Sequence, residues 1–162
     1  MITPTDNLPF RVLLAEESLP YRRVIREALI SFRQCEVDDC QSGERAFEMA
    51  VSRPYHLLIL AVSLPDLGGL MLDRLIARSY PLVHRGIHTA PPVIFMMRSG
   101  DAGEIDAMKR DVRLRGCLSY PPKLDALLAL TSGLLPEKRP DLPELSQSHP
   151  QLPKHLSFPN VP

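Results

Sequence analysis

The stretch that most constrains this chain runs from His56 to Leu70, His-Leu-Leu-Ile-Leu-Ala-Val-Ser-Leu-Pro-Asp-Leu-Gly-Gly-Leu. Leu57 to Leu60 are apolar without interruption and lead into Ala61; Leu64-Pro65-Asp66 and the pair Gly68-Gly69 then signal a turn. A short continuous apolar run bounded by turn residues fits a strand buried on both faces, as in a parallel sheet. In open parallel sheets, ligands and chemistry gather at the carboxyl ends of the strands. The residue at that end is Ala61, whose methyl group offers no chemistry.

The remainder of the chain supplies partners for such a strand. Arg11 to Ala15 reads as a first buried strand, followed by Glu16-Glu17. Ser18 is a helix N-cap candidate and Pro20 falls in the first turn, where its missing N–H costs little. Val24, Ile25, Ala28, Leu29 and Phe32 then keep helical spacing. Cys35 to Cys40 reads as a second, more polar strand, as suits a sheet edge. Ser42-Gly43 open a second helix with Ala46, Phe47, Ala50 and Val51 as its apolar stripe, ended by Pro54. After the third strand, Leu67 to Ser79 predicts a helix and Tyr80 to Pro92 a proline-bearing loop. Val93 to Met97 is the fourth strand. Asp101 to about Arg113 predicts a mostly polar helix whose apolar face is Ile105, Met108 and Val112. Gly116 to Tyr120 is the fifth strand and Leu124 to Leu135 the last helix. Five strand–helix alternations predict an α/β fold, a doubly wound five-stranded parallel sheet of order 2-1-3-4-5, flavodoxin-like. Residues 1–9 read as a leader, 10–135 as the domain, and 136–162, with seven prolines in 27 residues, as a tail. Leu142, Leu145, Leu152 or Phe158 could dock that tail on a partner or on its own domain.

Composition removes several function classes. With 19 basic and 19 acidic residues in 162, nothing argues for nucleic acid or membrane as the main partner. No apolar run approaches the roughly 20 residues of a membrane span, and the N-terminus has no signal-peptide pattern, so the expected location is the cytoplasm. Cys35, Cys40 and Cys117 form no CxxC pair and read as small side chains in strands. His84 and His88 sit four apart in a loop without paired cysteines, a poor start for a zinc site.

The strand ends carry Glu16-Glu17, Ala61 and Met97, with Lys123 just beyond strand five. Together with Val12-Leu-Leu-Ala-Glu-Glu-Ser18, Gly43-Glu-Arg-Ala46, Leu64-Pro65-Asp66-x-x-Gly69, Pro92-Val-Ile94 and Gly116-Cys117-x-x-Tyr120-x-x-Lys123, this pattern resembles the receiver (CheY-like) domain of bacterial two-component response regulators. The resemblance covers about residues 10 to 135. It implies an aspartate as phosphoryl acceptor four residues before the proline of Leu64-Pro65, and a hydroxyl at the end of strand four. This chain has Ala61 and Met97 there. Alanine has no nucleophile and a thioether no hydrogen to donate. The acidic pair survives as Glu16 and Glu17, a poor magnesium site without a third carboxylate or a phosphoryl group, and no cofactor is expected. Lys123 matches the family's lysine, though Leu124 replaces the proline that normally follows. Its expected role is an ion pair with Glu16 or Glu17. Tyr120 matches the switch aromatic.

The reading that follows is a pseudo-receiver and not an enzyme: a single-domain module of phosphorelay signalling that acts by protein–protein contact without aspartate phosphorylation. The expected partner is another signalling protein, a histidine kinase, a regulator or a second copy in a homodimer, through the face formed by helix four, strand five and helix five. The alternatives are phosphorylation at Asp66 or Ser63, and a small ligand in the strand-end pocket.

Overall fold

A computed structural model describes residues 9–139; the leader up to residue 8 and the tail from residue 140 lie outside the described residues. Five strands, β1 (Phe10–Ala15), β2 (Cys35–Cys40), β3 (Leu57–Ala61), β4 (Val93–Met97) and β5 (Leu114–Ser119), form one parallel sheet in the order β2-β1-β3-β4-β5. The doubly wound order expected from the alternation is the one observed. Every residue of β3 is buried, because it is the middle strand and is covered on both faces.

The helices are α1 (Leu19–Phe32), α2 (Gly43–Ser52), α3 (Gly69–Val83), α4 (Ala102–Asp106) and α5 (Leu124–Thr131). Alternating strand side chains divide the core into two clusters. Leu13, Leu58, Leu60, Val93 and Phe95 pack with Ala46 and Ala50 of α2, Leu72 and Ile76 of α3 and Ile105 of α4. Val12, Leu14, Leu57, Ile59 and Ile94 pack with Ile25 and Leu29 of α1 and Leu127 of α5. Among the described residues no helix is long and apolar enough to cross a membrane.

Two helices depart from their sequence patterns. The helix expected to end at Ser79 continues to Val83 and takes Pro81 into its last turns. An internal proline normally breaks a helix, but here Tyr80 is buried and its hydroxyl both accepts from Tyr55 N (2.6 Å) and donates to Tyr55 O (3.1 Å). That anchor holds the turn in place. Conversely, the helix expected over 101–113 is a 3-10 turn (Ser99–Asp101) plus the five residues of α4. Of its three apolar residues only Ile105 is buried, and Val112 is 85% exposed. Three apolar side chains in 13 residues bury too little to hold a long helix, whose stability comes mostly from packing. The segment is fixed instead by Arg113, whose guanidinium binds Asp73 of α3 through both oxygens (2.7 and 3.3 Å) and Pro91 O (3.0 Å).

Residues 136–138, counted with the tail by composition, are bonded to the domain. Pro136 O accepts from Gln34 N (2.8 Å), and Lys138 N donates to Phe32 O (3.1 Å). Lys138 Nζ reaches Ile30 O (3.3 Å), so a cation meets the unsatisfied carbonyls at the C-terminus of α1. The buried Arg33 completes the junction through Leu128 O (2.7 Å) and Thr131 Oγ1 (3.2 Å). The last helix accordingly stops at Thr131, short of the expected Leu135.

Candidate functional site

The register of the sheet sets the site. Ala15 pairs with Leu60 and Ala61 with Met96, so Glu16, Ala61 and Met96 stand level at the carboxyl edge. Ala61 is fully buried, with Leu64 and Tyr120 packed against its cluster. Its carbonyl lies against the first residue of α3, where a Cβ on Gly69 would come within 2.1 Å of Ala61 O. Only glycine lets α3 start that close to the strand.

Above this floor is a cavity of about 430 Å³ lined by Glu16, Glu17, Ser18, Ser63, Leu64, Pro65, Arg98 and Tyr120. Glu16 is 4% exposed, and both its oxygens have partners. Oε1 accepts from Ser18 N (2.7 Å), and Oε2 accepts from the Tyr120 hydroxyl. Burial pushes the Tyr120 phenol up, reinforced by the Glu16 carboxylate, so the hydroxyl keeps its proton and donates. The Tyr120 ring sits against Tyr21 of α1 (centroids 5.3 Å apart) and under the Arg98 guanidinium, 5.7 Å from its centroid. Such a cation–aromatic contact is worth about 0.5–1 kcal/mol at an exposed site. Ser18 takes the N-cap position of α1 without capping through its hydroxyl; its N–H belongs to Glu16.

Asp66 has a separate task. Its carboxylate oxygens accept from Gly43 N and Glu44 N, both at 2.8 Å, while Ser42 Oγ accepts from Arg45 N (3.3 Å). Three orphan amides of the first turn of α2 are thereby satisfied. The Glu44 amide, with those of Leu67 and Gly43, holds the Asp66 carboxyl below its ordinary range. Asp66 does not line the Glu16 cavity.

No protein-family model and no curated protein matches the chain. Solved structures do. The chain is similar to the receiver (REC) domain of AraT, a response regulator from Geobacillus stearothermophilus, with 20% identity, TM-score 0.64 and 77% of this chain matched to 92% of that one. It is also similar to the signal receiver domain of an HD domain-containing protein from Pseudomonas fluorescens Pf-5 (19% identity, TM-score 0.67, 83% and 92% covered). A third is the receiver domain of NtrX from Brucella abortus (19%, TM-score 0.62, 76% and 96%). The fold is that of a response-regulator receiver domain. At these identities the likeness concerns fold alone.

On this receiver fold the sequence-derived site residues separate into two groups. Glu16, Glu17 and Tyr120 meet at the cavity, with Ala61 beneath them. Met97 and Lys123 do not line it. Met97 packs on the α2–α3–α4 side of the sheet, across from Ala61. Lys123 is exposed at the N-cap of α5 and forms no ion pair with Glu16, Glu17 or any other acid among the described residues. β5 ends at Ser119, so Tyr120 is the first residue past the strand, and it meets the carboxylate that Lys123 was expected to meet. Arg98, missed in the sequence, is likewise the first residue past β4. That position was its only signal.

The magnesium ion implied by the fold does not fit this chain. Both Glu16 oxygens accept protein donors, Ala61 has no side-chain oxygen, and Glu17 alone remains, where Mg²⁺ wants carboxylates together with phosphate oxygens. No group of three or more metal-ligating side chains occurs among the described residues. His84 Nε2 bonds Ala50 O (2.7 Å) and its ring packs on Tyr80, while His88 is exposed. The thiols of Cys35 and Cys40 are each pushed up to about 11 by burial, and Cys117 is raised by the same cause. Such thiols stay protonated and unreactive near neutrality.

Proposed function

We propose that this chain is a pseudo-receiver: a receiver fold kept for protein–protein recognition, without aspartyl phosphorylation and without catalysis. One observation carries the reading. At the edge where an acceptor carboxylate would stand, a buried alanine lies beside a glutamate whose two oxygens are held by Ser18 N–H and the Tyr120 hydroxyl. A phosphoryl group would find no nucleophile at 61, no free Glu16 oxygen to share a metal, and no cation from Lys123. The Tyr120–Glu16 bond ties the end of β5 to the end of β1 with no ligand needed. The surface formed by α4, β5 and α5 is then a constant docking face, biased by its partner. The partner is another signalling protein, and the setting two-component signalling in a bacterial cytoplasm.

The competing reading, phosphorylation at Asp66 or Ser63, has less support. Asp66 already accepts two backbone N–H groups outside the cavity, and Ser63, which lines the cavity, has no hydrogen-bonded base among the described residues. The test is incubation of the full chain with a small-molecule phosphodonor and magnesium, followed by intact mass. The expected result is an unchanged mass. A phosphoryl adduct on any residue overturns the proposal.

A further inference from the structure

We propose that the outer edge of β5 is a strand-addition site for an extended, acidic segment of a partner protein; this rests on the docking-face reading above and gives it a mode and a partner chemistry. β5 is the last strand of the sheet, so its backbone groups facing away from β4 have no strand partner among the described residues. The stretch in continuous register, Gly116 to Ser119, makes an edge of roughly 13 Å at about 3.3 Å per residue. Helix α4, which borders this face, has five residues, and the segment after it is turns.

Natural edges are guarded, because a free row of N–H and C=O groups pairs readily with another chain. This edge is guarded at both ends, by a bulge at the charged Arg115, where Val93 pairs with Leu114 and Ile94 with Gly116, and by Pro121 and Pro122. Between them, Gly116 to Ser119 carries neither a charge nor a proline. Gly116 presents no side chain; a Cβ there would meet Leu130 Cδ2 of α5 at 2.4 Å, and its φ of +152° suits glycine. Beside the edge runs a cavity of about 470 Å³ whose lining includes Cys117, Ser119, Pro121, Lys123 and Ala126. An added strand would place alternate side chains into it. Main-chain bonds then supply affinity and the pocket supplies selection.

Charge selects the occupant. Arg115 in β5 and Lys123 at its far end are both exposed, and neither forms an ion pair among the described residues. The nearest acid in sequence, Asp125, lies in the first turn of α5, where it complements the helix N-terminus. A second copy pairing β5 to β5 would gather two Arg115 and two Lys123 side chains on one edge, whereas acids opposite them are favoured. An extended segment alternating acidic and apolar residues matches both the cations and the pocket.

The probe is the peptide acetyl-Ser-Glu-Val-Glu-Val-Glu-Ser-amide, added at ~1 mM, the range of weak single-segment affinities, to the ¹⁵N-labelled full chain. Amide exchange and shift changes are read at Leu114 to Ser119. The expected result is slowed exchange confined to β5 and its flanks. Methylating alternate backbone nitrogens of the peptide, or Arg115→Glu with Lys123→Glu in the protein, should weaken binding by about tenfold or more. No protection at β5, equal binding by the N-methylated peptide, or equal binding by the peptide with lysine for glutamate overturns the proposal. So does sedimentation showing a dimer that Arg115→Glu abolishes, since a second copy would then own the edge. A phosphoryl adduct in the mass experiment overturns the pseudo-receiver reading whatever the peptides do. Failure of the peptides with an unchanged mass overturns strand addition alone.

Discussion

Tyr120→Phe tests the bond on which the site is built. The substitution keeps the ring, and with it the contacts to Tyr21 and Arg98, and removes only the hydroxyl. Glu16 is 4% exposed, so its Oε2 would be left with no donor and almost no water. A hydrogen bond to a charged group contributes about 1.5–3 kcal/mol, and leaving a buried charged acceptor unpaired lies toward the upper end. With a urea m-value of about 2 kcal/mol/M, the midpoint should fall by roughly 1 M at unchanged slope. Lys123→Ala is the control: exposed and without an ion pair among the described residues, it should stay within ~0.5 kcal/mol of wild type. Glu16→Gln sets an amide against Ser18 N–H and the Tyr120 hydroxyl, and the double variant with Tyr120→Phe should show a coupling of about 1 kcal/mol or more. A Tyr120→Phe protein as stable as wild type, or a Lys123→Ala protein destabilised as much as Tyr120→Phe, would refute the assignment of Tyr120 as the partner of Glu16.

Two further outcomes can be checked by denaturation at several pH values. Arg113→Met leaves Asp73, 1% exposed, without its cation and should cost about 3–5 kcal/mol at neutral pH. Desolvation already raises the Asp73 carboxyl above its ordinary value against the pull of Arg113, and the variant raises it further. A raised carboxyl favours the protonated fold, so the deficit should be smallest below about pH 3.9 and grow as pH rises; a pH-independent deficit would place the loss elsewhere. Asp66→Ala should lower the melting temperature by uncapping α2. Because the Asp66 carboxyl is held below its ordinary value, its contribution is present above that value and lost as pH falls through the depressed one, so variant and wild type should converge in acid.

Elements with strong periodicity were legible in the sequence, and those resting on a single tertiary contact were not. β2 and β4 begin and end where their composition places them, and α2 opens at Ser42-Gly43 as its cap residues indicate. The end of α3 depends on the Tyr80 hydroxyl meeting the Tyr55 backbone, a contact across 25 residues that no local pattern announces. The short α4 depends on Arg113 finding Asp73 on another helix. At the site, Glu16, Glu17 and Ala61 were legible because strand-end residues follow from strand boundaries. Arg98 was not, because a lone arginine after a strand is ordinary.

The sequence alone determines the sheet, since five strand segments, apolar but for the polar edge segment Cys35–Cys40, alternate with helices and favour one order, and it determines that Ala61 cannot be a nucleophile, since that is a matter of covalent chemistry. The tertiary structure decides which side chain answers Glu16. The resemblance to receiver domains pointed to Lys123, which carries the natural charge for the task. β5 ends at Ser119, so Tyr120 stands at the edge while Pro121 and Pro122 carry Lys123 on to the first turn of α5. A strand that ends one residue earlier changes the donor from an ammonium to a phenol, because reach and direction at a strand end are set by register, which only the folded sheet fixes.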